Sequence, residues 1–214
     1  MAVKLTVWNA ALRVQGNRKV GDTGDERESA RVLTGAWDDV VAECLEYADW
    51  NFAAETVKLA ADTGVEPEFG FKEVFAKPND WVKTIQVSGD EYFSSPLIQY
   101  VDDINFLSAD FSPIYLKYVS NDTGMGLELA RWPASFRRYV ELELAFQTGD
   151  RLTEDEGKLE RIEVRRDKAR RTAMNHDAMN EPQPKFAPTG AWSQSRYGRH
   201  GTRRDRGNRG SLIG

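Results

Sequence analysis

The sequence predicts an α+β protein, mainly α: a bundle of about four helices, a small antiparallel β-rich insertion and an extended C-terminal arm. Three observations predict it. Apolar residues recur at helical spacing before residue 50 and again after residue 131. Between them, short alternating runs are broken by turn residues. Residues 181–214 hold too few core-forming side chains to fold alone. The body is therefore read as 1–180 and the arm as 181–214.

Each helix has its own signature. Over 3–15, Val7, Trp8, Ala11, Leu12 and Val14 fall near one face, and Gly16 follows as a stop. A second helix is predicted over 25–50, capped by Asp25, with Leu33, Trp37, Val40, Val41, Cys44 and Leu45 on one stripe. Its length would be about 38 Å. Trp37 and Cys44 lie one heptad apart, which makes Cys44 a packed thiol rather than a nucleophile.

Residues 55–120 read as the β-rich insertion. Runs 55–60 and 81–87 alternate, and an aromatic-rich segment carries Phe69, Phe71 and Phe75. Residues 77–80 and 88–90 are turns. Further strands are predicted at 97–101, 104–108 and 114–119, parted by Asp102–Asp103 and by 110–113. Short strands on short turns favour antiparallel pairing.

A third helix is predicted over 133–149, opened by Pro133 in its first turn and closed by Gly149. Phe136, Val140, Leu144 and Phe146 follow its buried face. The fourth, 153–179, starts with a capping box in which Thr153 caps and Glu156 reaches back. It is acidic first and basic later, as the helix dipole favours. Its apolar residues are sparse, so it faces solvent or neighbouring subunits. Pro182 and Pro184 then stop it.

Charge divides the chain in two. The arm holds seven basic residues against Glu181 and Asp205, a net +5. The whole chain is −5, so residues 1–180 carry −10. One cysteine excludes an intramolecular disulfide, no apolar run reaches a membrane span, and the first residues lack a signal-peptide core. The expected site of synthesis is the cytosol.

The inventory for catalysis is poor. His176 and His200 have no carboxylate or cysteine at metal spacing, and no nucleophile elbow or phosphate loop is present. Gly124 and Gly126 read as a flexible connection. Asp38 and Asp39 diverge by about 100° on a helix and share no site. Asp102–Asp103 reads as a turn. Neither enzyme activity, cofactor nor metal is expected.

The arm holds the distinctive constellation. Trp192, Arg196, Tyr197, Arg199, Arg203, Arg204, Arg206 and Arg209 suit phosphate contacts and base stacking. Trp, Tyr and Arg are equally the anchors of protein interfaces. A disordered solubilising tail is the plain alternative. The acidic body argues against a dedicated nucleic-acid binder, which needs a basic folded face.

Several segments together carry a likeness: Trp8-Asn-Ala-Ala-Leu, residues 40–49 leading into Trp50-Asn-Phe-Ala53, and Phe75-Ala-Lys-Pro-Asn-Asp-Trp81. Further on come Tyr115-Leu-Lys-Tyr-Val-Ser-Asn-Asp122, Arg131-Trp-Pro-Ala-Ser-Phe136, and Asp177-Ala-Met-Asn-Glu-Pro182. Segments at 190–193 and 207–214 close the series. It resembles the tail tubular protein A-like head-to-tail adaptors of short-tailed phages, in order and over nearly the whole chain.

That resemblance implies a structural virion protein at the portal–tail junction, assembled in the host cytoplasm. It implies a ring, usually of twelve copies, between the portal protein and the tail nozzle protein. Double-stranded DNA would pass through the channel without sequence-specific contacts. The helices would form the ring, the β-rich region would face the tail, and the arm would reach into the portal. Its docking residues would be Trp192, Arg196, Tyr197, Arg199, Arg203, Arg204, Arg206, Arg209, Leu212 and Ile213. Extended, the arm could span about 112 Å. The alternative is a nucleic-acid-binding protein acting through the Arg-rich tail.

Overall fold

A computed structural model describes residues 4–180 except 66, 68, 69, 95, 98 and 154. It combines five α-helices with two small antiparallel sheets. Residues Met1–Asn180 form one compact unit. The helices are α1 (Lys4–Gln15), α2 (Glu28–Glu46), α3 (Ala134–Gln147), α4 (Gly149–Leu152) and α5 (Glu156–Asn180). The strands are β1 (Ala54–Leu59), β2 (Glu73–Ala76), β3 (Trp81–Ser88), β4 (Val101–Asp102), β5 (Phe106–Ala109) and β6 (Ile114–Ser120).

Helix α3 is the centre of the helical part, with α1, α2 and α5 packed around it. Its first turn builds an aromatic hub. Phe136 meets Trp50, Phe52, Trp132 and Tyr139 at ring-centroid distances of 4.8, 4.7, 5.0 and 6.3 Å. Tilted and edge-on pairs of this kind add about 0.5–1.5 kcal/mol each beyond their burial. Trp37 stacks on Trp132 and stands edge-on to Trp8, which carries the cluster across to α2 and α1. Buried Gln15 fastens the end of α1 to the end of α3: its Nε2 donates to Ala145 O and Thr148 Oγ1, both at 2.9 Å.

The strands form two sheets, ordered β1-β6-β3 and β2-β5-β4. All pairs are antiparallel, as the short runs predict. Among the described residues, only β4 and β5 make a short hairpin, however. β1 pairs with β6, with Ala54 opposite Val119 and Leu59 opposite Ile114, so the pairing crosses the whole insertion. Phe75, Leu107, Ile114, Leu116 and Tyr118 fill the space between the sheets.

Several boundaries differ from the sequence reading. Helix α2 begins at Glu28, not 25, because Asp25 spends its carboxylate on the Arg27 N–H two residues on, at 3.1 Å. It ends at Glu46, so its length is about 28 Å. Pro133 is the N-cap of α3 rather than a first-turn residue. Gly149 opens the short helix α4 instead of ending α3. A Cβ there would stand 2.2 Å from Leu159 Cδ2, so the glycine lets α5 close on this corner. The helix count is five because of α4.

The predicted capping box does not form. Thr153 Oγ1 is buried without a hydrogen-bond partner, and Asp155 caps α5 instead, accepting from Lys158 N–H at 3.1 Å. The strand expected at 97–101 reduces to its last residue, Val101, and Asp102 lies in β4 rather than in a turn. The aromatic-rich segment contains β2. Of the two glycines read as a flexible connection, Gly126 is fixed in place. A Cβ on Gly126 would stand 2.0 Å from Ser120 O, and the Gly126 carbonyl accepts from Trp132 Nε1 at 2.8 Å. Only glycine allows this close approach.

Candidate docking surfaces

The ten residues singled out in the arm, from Trp192 to Ile213, lie outside the described residues. The body supplies what can be built from geometry, and its first lesson concerns chemistry. Cys44 is fully buried, and burial pushes its thiol pKa up, away from thiolate. Among the described residues no group of three His, Cys, Asp or Glu side chains could hold a metal ion. Glu143 is buried beside Arg166, whose Nε lies 3.8 Å from Oε2. Burial raises the Glu143 pKa, and the Arg166 charge only partly opposes it. This pair joins α3 to α5.

Side chains from the sequence segments quoted above have a common task. Asn9 brackets Val20, accepting its N–H at 2.8 Å and donating to its carbonyl at 3.1 Å. Trp50 Nε1 donates to Cys44 O at 2.8 Å. Asn51 reaches across to α5, where its backbone N–H and its Nδ2 donate to Asp177 Oδ2 at 2.9 and 3.0 Å. Lys77 packs its ammonium over the Trp81 ring and pairs with Asp102. Asp80 accepts from the hydroxyls of Tyr118 and Ser120. Burial and the Asp80 charge together push the Tyr118 pKa up. These are tertiary locks, each tying two elements together. The sequence shows the residues but not the partners, because each lock spans a turn or a long separation.

Helix α5 packs on α3 with few apolar residues, only Ile162 and Ala173 being buried hydrophobics. Arginines replace them. Arg166 lies over the Phe146 ring at 4.2 Å, and Arg170 over Tyr47 at 4.5 Å. The basic later half of α5 is thus split: Arg166 and Arg170 turn inward, while Arg161, Arg165, Lys168 and Arg171 stay exposed.

Among the described residues, three surfaces bear on docking. A groove of about 400 Å³ lies between the start of α3 and the end of α5, lined by Trp50, Pro133, Phe136, Ala173, His176 and Asp177. Helix α2 turns Asp38, Asp39, Glu43 and Glu46 outward. At the end of the sheets remote from the helices, Tyr92 and Phe111 stand 79% and 59% exposed. The register places them there, because Ser88 pairs with Tyr115 and Ala109 with Glu73. Phe93 holds that loop at φ 53, an uncommon conformation for a bulky residue. Among the described residues no helix is long and apolar enough to cross a membrane. No protein family and no curated protein matches the chain.

Proposed function

We propose that this chain is a structural adaptor of a phage head-to-tail connector, a ring subunit between portal and tail nozzle. The observation that carries the reading is the nature of the family-like residues. Asn9, Trp50, Asn51, Lys77, Asp80, Trp132 and Asp177 all serve as locks within the body, and Trp50 and Asp177 also line the groove between α3 and α5. The acidic outer face of α2 and the body charge of −10 suit a channel wall along which a polyanion slides. The exposed Tyr92 and Phe111 suit a contact with the tail.

In this reading residues 181–214 dock on the portal, with Trp192, Tyr197, Leu212 and Ile213 as apolar anchors and the arginines as polar ones. Ordering such an arm costs entropy, so the anchors must be good. The deciding experiment mixes the purified chain with its portal and measures stoichiometry by native mass spectrometry. A defined ring on the portal is the expected result, and no assembly rejects the adaptor. Removing 181–214 should leave the helical circular dichroism intact and abolish portal binding; retained binding rejects the arm's role.

The +5 charge of the arm favours one competitor, a nucleic-acid binder working through those arginines. It predicts DNA binding that falls steeply with salt and is lost on Arg-to-Ala change. A gel shift at low salt with no retarded band removes it.

A further inference from the structure

Each sheet has two outer strands: β1 and β3 in one, β2 and β4 in the other. An outer strand leaves a row of backbone N–H and C=O groups without a ladder partner, and proteins cover or distort such rows. Three of these strands are managed in that way. β3 is broken by two register shifts, and the chain beyond it returns along its end: Leu97 N–H donates to Val87 O at 2.9 Å, and Ser88 bridges to Pro96. On β2, Val74 O accepts from Asp62 N–H at 2.7 Å. β4 is only two residues long. β1 has none of these devices. Its six residues pair one-to-one with β6, without a bulge or a proline. Among the described residues no hydrogen bond reaches its backbone from the other side. In an antiparallel pair every second residue turns its N–H and C=O away from the partner.

The side chains of β1 define what fits beside it. Val57 and Leu59 pack on the core between the sheets but stay half-buried, while their partners Leu116 and Ile114 are fully buried. The apolar layer thus runs on to the edge and stops there uncovered. Thr56 and Lys58 point to the opposite face and are exposed. Lys58 lies across from Tyr115, its ammonium 5.9 Å from the ring, and Lys117 lies across from Thr56. That face is cationic. The one acid in the three strands of this sheet, Glu55, pairs with Tyr118 and so lies on the inner side.

We infer that β1 is an acceptor edge for an extended segment of another protein. The added strand continues the main-chain ladder outward from β1. It carries apolar residues at alternate positions, beside Val57 and Leu59, and acidic ones between them, on the face of Lys58 and Lys117. With six residues in β1, the edge is about 20 Å long. Main-chain bonds supply the affinity, and the alternation fixes which face of the added strand turns inward. Such an edge needs no portal. Failure to bind a portal would leave it standing, and an idle edge would leave portal docking through the arm untouched.

The test uses the full chain and a dye-labelled, capped peptide of alternating valine and glutamate, long enough to span β1. Fluorescence anisotropy should show saturable binding. A valine–lysine peptide should bind about tenfold more weakly. A fully N-methylated copy of the glutamate peptide keeps the side chains but lacks the donors, and should not bind. Lys58→Glu should lose about tenfold for the glutamate peptide and should bind the lysine peptide better than the wild type does. Amide exchange should slow at alternate residues of 54–59 when the glutamate peptide is added.

A milder change, Lys58→Gln, should weaken binding about threefold and serves if the reversal disturbs folding by circular dichroism. No binding, equal binding of the two peptides, binding of the methylated copy, or slowed exchange at β3 instead of β1 overturns the inference. So does slowed exchange at β1 that grows with protein concentration in the absence of peptide, because the edge then takes a second copy of this chain.

Discussion

Among the described residues, 23 buried residues, nearly all from the helices and their flanks, form one core around Phe136; between the two sheets, seven residues from four strands form the other. The first is built from helices whose own sequences carry the apolar stripe. The second depends on strands that pair across the insertion, as β1 does with β6. A large core made from locally stable pieces tolerates wear at its margins. A small core made by long-range pairing has less to lose before it opens. The helical part carries exposed charged residues on α2 and α5, and the sheets present apolar loop residues to solvent.

The largest expected effect breaks the helical core. Phe136→Ala removes the ring that meets four others and should cost about 3–5 kcal/mol, lowering the thermal midpoint by roughly 6–20 °C. Far-UV circular dichroism during heating checks it. A loss confined to the sheet signal would break the comparison.

Next comes the smaller core. Leu107→Ala, at a fully buried position of β5, should cost about 2–5 kcal/mol. Hydrogen exchange should show β2, β4 and β5 opening while the amides of α1 and α3 keep their protection. Equal loss throughout would mean that the two cores melt as one unit.

Asp177→Ala tests a lock between regions. It leaves the Asn51 N–H and Nδ2 without their carboxylate partner and should cost about 1–3 kcal/mol. Exchange should quicken first at the end of α5 and at 51–53. Unchanged exchange there would show that the contact adds nothing to the fold.

The smallest effect is the pH dependence from Glu143. Burial raises its folded pKa above the unfolded one, so the folded state keeps this proton to higher pH. The associated stability is full below the unfolded pKa and is lost as pH rises through the folded one. Lowering the pH from neutral into that window should therefore stabilise the wild type relative to Glu143→Gln. Urea midpoints across that range give the comparison, and parallel slopes would reject it.

Sequence periodicity located α1, α2 and α3 within a few residues, since Leu33, Trp37, Val40 and Cys44 must share a face whatever packs on them. It failed at ends and partners. Thr153 and Asp155 both suit a cap, and Asp155 accepts from the first turn of α5 while Thr153 is buried at the end of α4. Gly126 looked like slack because nothing nearby in sequence reveals that Ser120 O crowds it. Arg166 and Arg170 read as solvent-facing charge, yet Phe146 and Tyr47 receive them. Of the candidate sites, the arm was visible as composition, whereas the groove between α3 and α5 needed the packing of the two helices to be known first.

The sequence by itself determined the helical faces, the antiparallel character of the strands, and the opposition between an acidic body and a basic arm. These follow from local periodicity and from charge, which need no neighbour. Tertiary structure alone decided that β1 lies beside β6, that Asn51 meets Asp177, and which arginines of α5 turn outward. Alternation gives a strand two faces but no partner, and a helix carries charge all round until packing on α3 removes one side from water.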